Sequence, residues 1–134
     1  MTSLDEHKSS IRAFMDDINE KIRADLIIER QKIIGFAASE AATNLLEYFL
    51  HRKSLIDPGF RVNHRYFSSA RRAESYIDMD FPHKKKIIAL LIKQEQCRDK
   101  LCYGKAKEKE AVTEAISTLI ELKNIIENEC GEEL

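Results

Sequence analysis

At 134 residues the chain has the size of one ordinary domain, and 43% hydrophobic residues are enough to fill a core. Only 4 Gly and 2 Pro argue against a turn-rich β architecture, and no apolar run approaches the roughly 20 residues of a membrane span. The net charge of −1 conceals a division: residues 51–107 hold 14 Lys/Arg against 6 Asp/Glu, a net +8, and the remainder holds 8 against 17, a net −9.

The opening residues, Met1 to His7, are polar and acidic, without the basic and apolar regions of a signal peptide, so a cytoplasmic location is expected. Ser3-Leu4-Asp5-Glu6 forms a capping box, and the first helix should start at Ser3. Ile11, Phe14, Met15, Ile18 and Ile22 recur at helical spacing and mark its apolar stripe, with the end near Arg23–Asp25.

A second helix is expected from about Leu26 to Lys53, with Ile34, Ala38, Ala41, Leu45 and Phe49 on one stripe. Its middle is rich in small residues. Gly35 inside a helix is unfavourable by ~1 kcal/mol relative to Ala, which predicts close approach of a neighbour there and a central place for this helix.

Asp57-Pro58-Gly59 reads as a stop and turn. A third helix should follow, capped by Asn63, with Val62, Tyr66, Ala70, Ala73 and Ile77 buried and Asp78-Met79-Asp80 ending it. Asp80-Phe81-Pro82 opens a fourth, since proline suits a first turn. Ile87, Leu90, Leu91, Cys97 and Leu101 are its core positions, and Gly104 its C′ residue. The fifth helix spans about Lys107 to Glu129, with Val112, Ala115, Ile116, Leu119, Leu122 and Ile126 inward; residues 130–134 should fray. The fold class is therefore all-α, about five helices packed as an up-and-down bundle, in one domain covering 1–134.

The three cysteines lack zinc or CxxC spacing and read as reduced, partly buried thiols. His7, His51, His64 and His83 fall on separate elements and read first as solvated surface residues, so no metal and no cofactor is expected. His64 stands out because Arg61, Arg65, Arg71 and Arg72 surround it in sequence, a setting that fits phosphate. Lys84, Lys85 and Lys86 lie at a helix N-terminus, where cations are mildly unfavourable. The +8 segment has two readings of equal weight: a phosphate-attracting centre, or charge that the acidic ends neutralise in three dimensions. Arg98 lies on or beside the apolar stripe of the fourth helix, flanked by Asp99 and Tyr103. It must snorkel, pair with an acid, or face a groove or interface.

The order of elements and the run Arg98-Asp99-Lys100-Leu101-Cys102-Tyr103-Gly104 resemble the HEPN superfamily of helical domains. The resemblance covers roughly Ile22 to Ile126. It rests also on the alanine-rich second helix (Ala37, Ala38, Ala41, Ala42), the basic segment around His64 and the Phe81-Pro82 helix entry. Many HEPN domains carry Arg, four to six residues, then His, a motif associated with metal-independent RNA cleavage at a dimer interface. Arg98 matches the arginine; Tyr103 stands where the histidine is expected, and no histidine follows His83. A phenol titrating near 10 is a poor substitute for an imidazole in proton transfer.

The resemblance thus implies a non-catalytic, homodimeric domain in a toxin–antitoxin-like setting. It would bind a nucleotide, nucleic acid such as RNA, or a minimal nucleotidyltransferase partner. Arg98, Asp99, Tyr103, His64, Arg65, Lys84, Lys85 and Lys86 are the candidate binding residues. Two alternatives remain: a diverged ribonuclease toxin using Arg98 with Tyr103 or His64, and a structural adaptor that docks another protein on an apolar face.

Overall fold

The computed structural model describes residues 3–134. Five α-helices form among them: α1 (Leu4–Arg23), α2 (Gln31–Arg52), α3 (Ala70–Tyr76), α4 (Lys84–Cys102) and α5 (Lys109–Cys130), with a 3-10 turn at His64–Phe67. No strand occurs among the described residues.

Side-chain pairs fix the directions. His7 meets Asn44 and Phe14 meets Phe36, so α1 and α2 are antiparallel. Gly35 faces Leu101 and Phe49 faces Phe81, so α4 returns along α2. Gln94 bonds the Ala115 carbonyl and Lys86 pairs with Glu121, so α5 reverses again. The result is an up-and-down bundle around α2, which packs on α1, α4 and α5. The predicted stripe of α2, Ile34, Ala38, Ala41, Leu45 and Phe49, is wholly buried, and the small residues around it admit the neighbours. A Cβ on Gly35 would stand 2.8 Å from Leu101 Cβ, which is the close approach expected there.

Several boundaries differ from expectation for local reasons. Ser3 accepts from the Glu6 N–H at 3.1 Å, so one half of the capping box forms. Asp25 adopts a left-handed conformation (φ 56°) and ends α1, so residues 26–30 form turns and α2 starts five residues late. Gln31 fastens that start: its amide donates to the Ile28 and Lys107 carbonyls and accepts from the Lys107 N–H. Ile22, expected on the α1 stripe, is exposed rather than buried. The third helix is divided. Asn63 caps only the 3-10 turn, through the Arg65 N–H, and Ser69 caps α3 through the Arg72 N–H. The break leaves Ala70 exposed and puts Phe67 in the core. Pro82 lies before α4, not in its first turn, because His83 is left-handed (φ 61°).

Residues 130–134 make defined contacts with the bundle. Gly131 closes α5 in the left-handed conformation, with its N–H on the Glu127 carbonyl. Glu132 then takes contacts from Tyr48 and Lys8, and the buried Leu134 donates its N–H to Glu127.

Candidate functional site

Arg98 is held across the α2–α4 seam. Its Nη1 donates to Ser39 Oγ at 3.1 Å and to Glu40 Oε1 at 3.2 Å, and its guanidinium lies 5.1 Å from the centre of the Phe36 ring. Its side chain is only 12% exposed. Of the fates open to this arginine, pairing with an acid is the one realised. The acid, Glu40, comes from another helix and carried no signal in the sequence. Tyr103 caps α4 in extended conformation and is 65% exposed, so its ring stands at the rim instead of packing beside Arg98. Asp99 is exposed on α4.

His64 is less solvated than expected. Its Nδ1 lies 2.7 Å from Oε2 of the buried Glu95, one turn before Arg98 on α4. A narrow crevice between α2, the 3-10 turn and α4 joins His64 and Glu95 to Ser39 and Thr43. The two residues singled out most strongly by sequence thus reach one small polar region through Ser39 and Glu95, neither of them a sequence candidate.

The basic residues divide into two groups. Lys86 pairs with Glu121, Lys93 with Glu114 and His83 with Glu129, so acids of α5 neutralise much of the exposed side of α4. Arg61, Arg65, Arg71 and Arg72 have no carboxylate partner among the described residues. Close to them in the sequence is a stacked aromatic pair: the Tyr66 and Tyr76 rings are 3.9 Å apart and 5° from parallel, and Arg72 lies 6.0 Å from the Tyr76 ring. Tyr76 is 43% exposed. Beside α3, Phe81, Ile88, Ala89 and Ile92 line an open groove of about 710 Å³, with Lys84 and Lys85 and the acids Glu74 and Asp80 also along it.

A second polar cluster joins α1 to the far end of α2. His7, expected on the surface, is 2% exposed. Its Nε2 is 2.7 Å from Glu47 Oε2, and its ring stacks on His51 with centroids 5.7 Å apart. Burial alone would lower the His7 pKa, but the contacts with Glu47 and Asn44 and the Glu47 charge raise it above the ordinary value. Burial would raise Glu47, but bonds from His7 and the Val62 N–H bring it below the usual carboxylate range. Burial lowers His51. The sequence offered one weak signal, Glu47 and His51 four apart on a helix, and none for His7.

The cysteines are free, as expected, and burial pushes all three thiols upward. No helix among the described residues is long and apolar enough to cross a membrane. No protein-family model, curated protein or solved structure matches the chain.

Proposed function

We propose that this chain is a non-catalytic, HEPN-like helical domain that binds single-stranded RNA or a nucleotide through the 3-10 turn and α3. The observation that carries this reading is the stacked, part-exposed Tyr66–Tyr76 pair with Arg72 against Tyr76, in a segment whose other arginines, Arg61, Arg65 and Arg71, are also outside ion pairs. Single strands are held by cationic side chains along the backbone and aromatic faces under the bases. The Arg98 guanidinium is engaged by Ser39 and Glu40, so the phosphate contacts fall to Arg61, Arg65, Arg71 and Arg72. Lys84 and Lys85 add charge along the adjoining groove. In this reading the domain is a homodimer. The HEPN resemblance adds a minimal nucleotidyltransferase in a toxin–antitoxin-like system as the protein partner.

Fluorescence anisotropy with a labelled RNA oligonucleotide tests it. The expected Kd at low salt is in the ~1–100 µM range. Four phosphate contacts predict that log Kd rises with log salt with a slope of about 3. Tyr76→Ala should weaken binding about fivefold or more, from loss of one stacked base. No binding at low salt, or equal binding by the Arg71→Ala/Arg72→Ala protein, would refute the reading.

One observation favours a second reading. His64 is oriented by Glu95 one helical turn from Arg98, the arrangement of an imidazole that accepts a proton near a phosphate-stabilising guanidinium. A diverged ribonuclease would cleave mixed RNA near neutral pH and lose that activity in His64→Ala and in Arg98→Ala. Binding without cleavage favours the first reading.

A further inference from the structure

The buried cluster between α1 and α2 is arranged as a set of metal ligands. Glu47 and His51, four residues apart, project from one face of α2, and His7 approaches from α1. One ligand atom from each, His7 and His51 nitrogens and a Glu47 oxygen, lie within 4.8 Å of one another.

The surrounding bonds orient His7 and Glu47 toward each other. Asn44 Nδ2 donates to the Glu40 carbonyl at 2.8 Å, which fixes the amide so that Oδ1 faces His7 Nδ1 at 3.0 Å. The Nδ1 atom therefore carries a proton, and Nε2, turned toward Glu47, is the atom left to take a cation there, a proton or a metal ion. Oε1 of Glu47 is occupied by the Val62 N–H at 2.7 Å, which leaves Oε2 free to face His7. The Nε2 atoms of both His7 and His51 are buried without an aligned hydrogen-bond partner. A lone pair and a carboxylate oxygen 2.7 Å apart repel unless a cation lies between them. A proton on His7 would relieve that contact alone and leave the buried His51 nitrogen unpaired. A metal ion would satisfy all three atoms together.

We propose that His7 Nε2, Glu47 Oε2 and His51 Nε2 bind one divalent zinc-type ion, with Asn44 and the Val62 N–H orienting the ligands. Two imidazoles and a carboxylate are borderline donors of the kind zinc takes, and the other ligand atoms of His7 and Glu47 are held by outer partners as such ligands usually are. A tetrahedral ion with bonds near 2.0 Å separates its ligand atoms by about 3.3 Å, so His7 and Glu47 need to part by about half an ångström, and His51, within 4.8 Å of them, to close in on the ion. The nearest opposing charge is Arg61, whose side chain is exposed and screened by solvent. The ion would serve structure. α1 packs on α2 alone among the helices, and this site would fasten its first turns to the end of α2 and, through Glu47, to the loop at Val62.

The test uses the full, untagged chain, stripped with chelator and titrated with Zn2+ and Co2+. One equivalent of zinc should bind and raise the melting temperature. Cobalt should give the visible bands of a four-coordinate nitrogen–oxygen site. His51→Gln should fold, since His51 has no hydrogen-bond partner to lose, and should bind zinc at least ~100-fold more weakly. Asn44→Ala should lose about 10–100-fold. Substoichiometric uptake, wild-type affinity in folded His51→Gln, or a cobalt–thiolate charge-transfer band assigning the ion to cysteine would each overturn the proposal.

Discussion

Glu132 gathers three donors from two helices. Tyr48 donates its hydroxyl to one carboxylate oxygen, Lys8 reaches the other at 3.2 Å, and Arg52 lies 3.8 Å away. The Tyr48 and Lys8 hydrogen bonds hold the Glu132 carboxyl below its ordinary 4.5, while burial and the Glu132 bond push the Tyr48 hydroxyl up to about 12. A carboxyl with a lowered folded-state pKa contributes stability that is full above its unfolded value and disappears as pH falls through the folded one. Glu132→Gln mimics the protonated acid. It should be less stable than wild type at pH 7, and the two should converge as pH falls from 4.5 through the lowered folded-state value. Urea melts at several pH values measure this, and a constant gap would refute it. Arg98 was legible because an arginine on an apolar stripe demands explanation. Ser39, Glu40, Glu95 and His7 were not, because their partners lie on other elements. Helical spacing says which face a residue occupies, not which helix will cover it.

At the scale of elements, periodicity located every long helix and the full stripe of α2, but only Ile11 and Ile18 of the α1 stripe are buried, with Phe14 and Met15 partly so. Its boundary errors fall where a single backbone conformation decides the outcome. Left-handed Asp25 and His83 moved the starts of α2 and α4, and no apolar pattern records a positive φ on a non-glycine residue. Gly35 is the opposite case, a composition signal that carried through to packing. Replacing it with alanine gains ~1 kcal/mol of helix propensity but drives a methyl into Leu101 Cβ and toward Cys102 Sγ, 3.3 Å away. Such overpacking is unfavourable by about 1–3 kcal/mol. Gly35→Ala should therefore be neutral to destabilised by about 2 kcal/mol in chemical denaturation. Adding Leu101→Ala should not restore stability, since the struck atom is the β-carbon that alanine retains. A Gly35→Ala protein more stable than wild type would show that α2 and α4 can separate freely.

For the whole molecule, the acidic and basic portions of the sequence meet in space, with α5 acids opposite the cations of α4. Away from these charges lies a group of exposed apolar side chains. Ile33 and Phe36 on α2 are each nearly half exposed, and Ile22, Leu26 and Ile28 are exposed just before them. Tyr103 stands near the same end, where the Cys102 thiol meets the Lys32 carbonyl. Apolar side chains grouped beside a satisfied arginine describe an edge that gains by being covered. The dimer expected from the HEPN resemblance would use this edge. A twofold axis brings the patch against itself, so Phe36 would meet Phe36 or Ile33 of the second copy. Arg98 would keep its bonds to Ser39 and Glu40 and turn its remaining N–H groups toward the exposed Asp99 across the axis. Light scattering should give a dimeric mass at high micromolar concentration. Phe36→Glu should give a folded monomer, because the two carboxylates would be buried face to face. Arg98→Ala should weaken the dimer less, since Phe36 and Ile33 keep most of the apolar area. A monomeric wild type at that concentration, or a Phe36→Glu protein that still dimerises, would place the partner of this edge elsewhere.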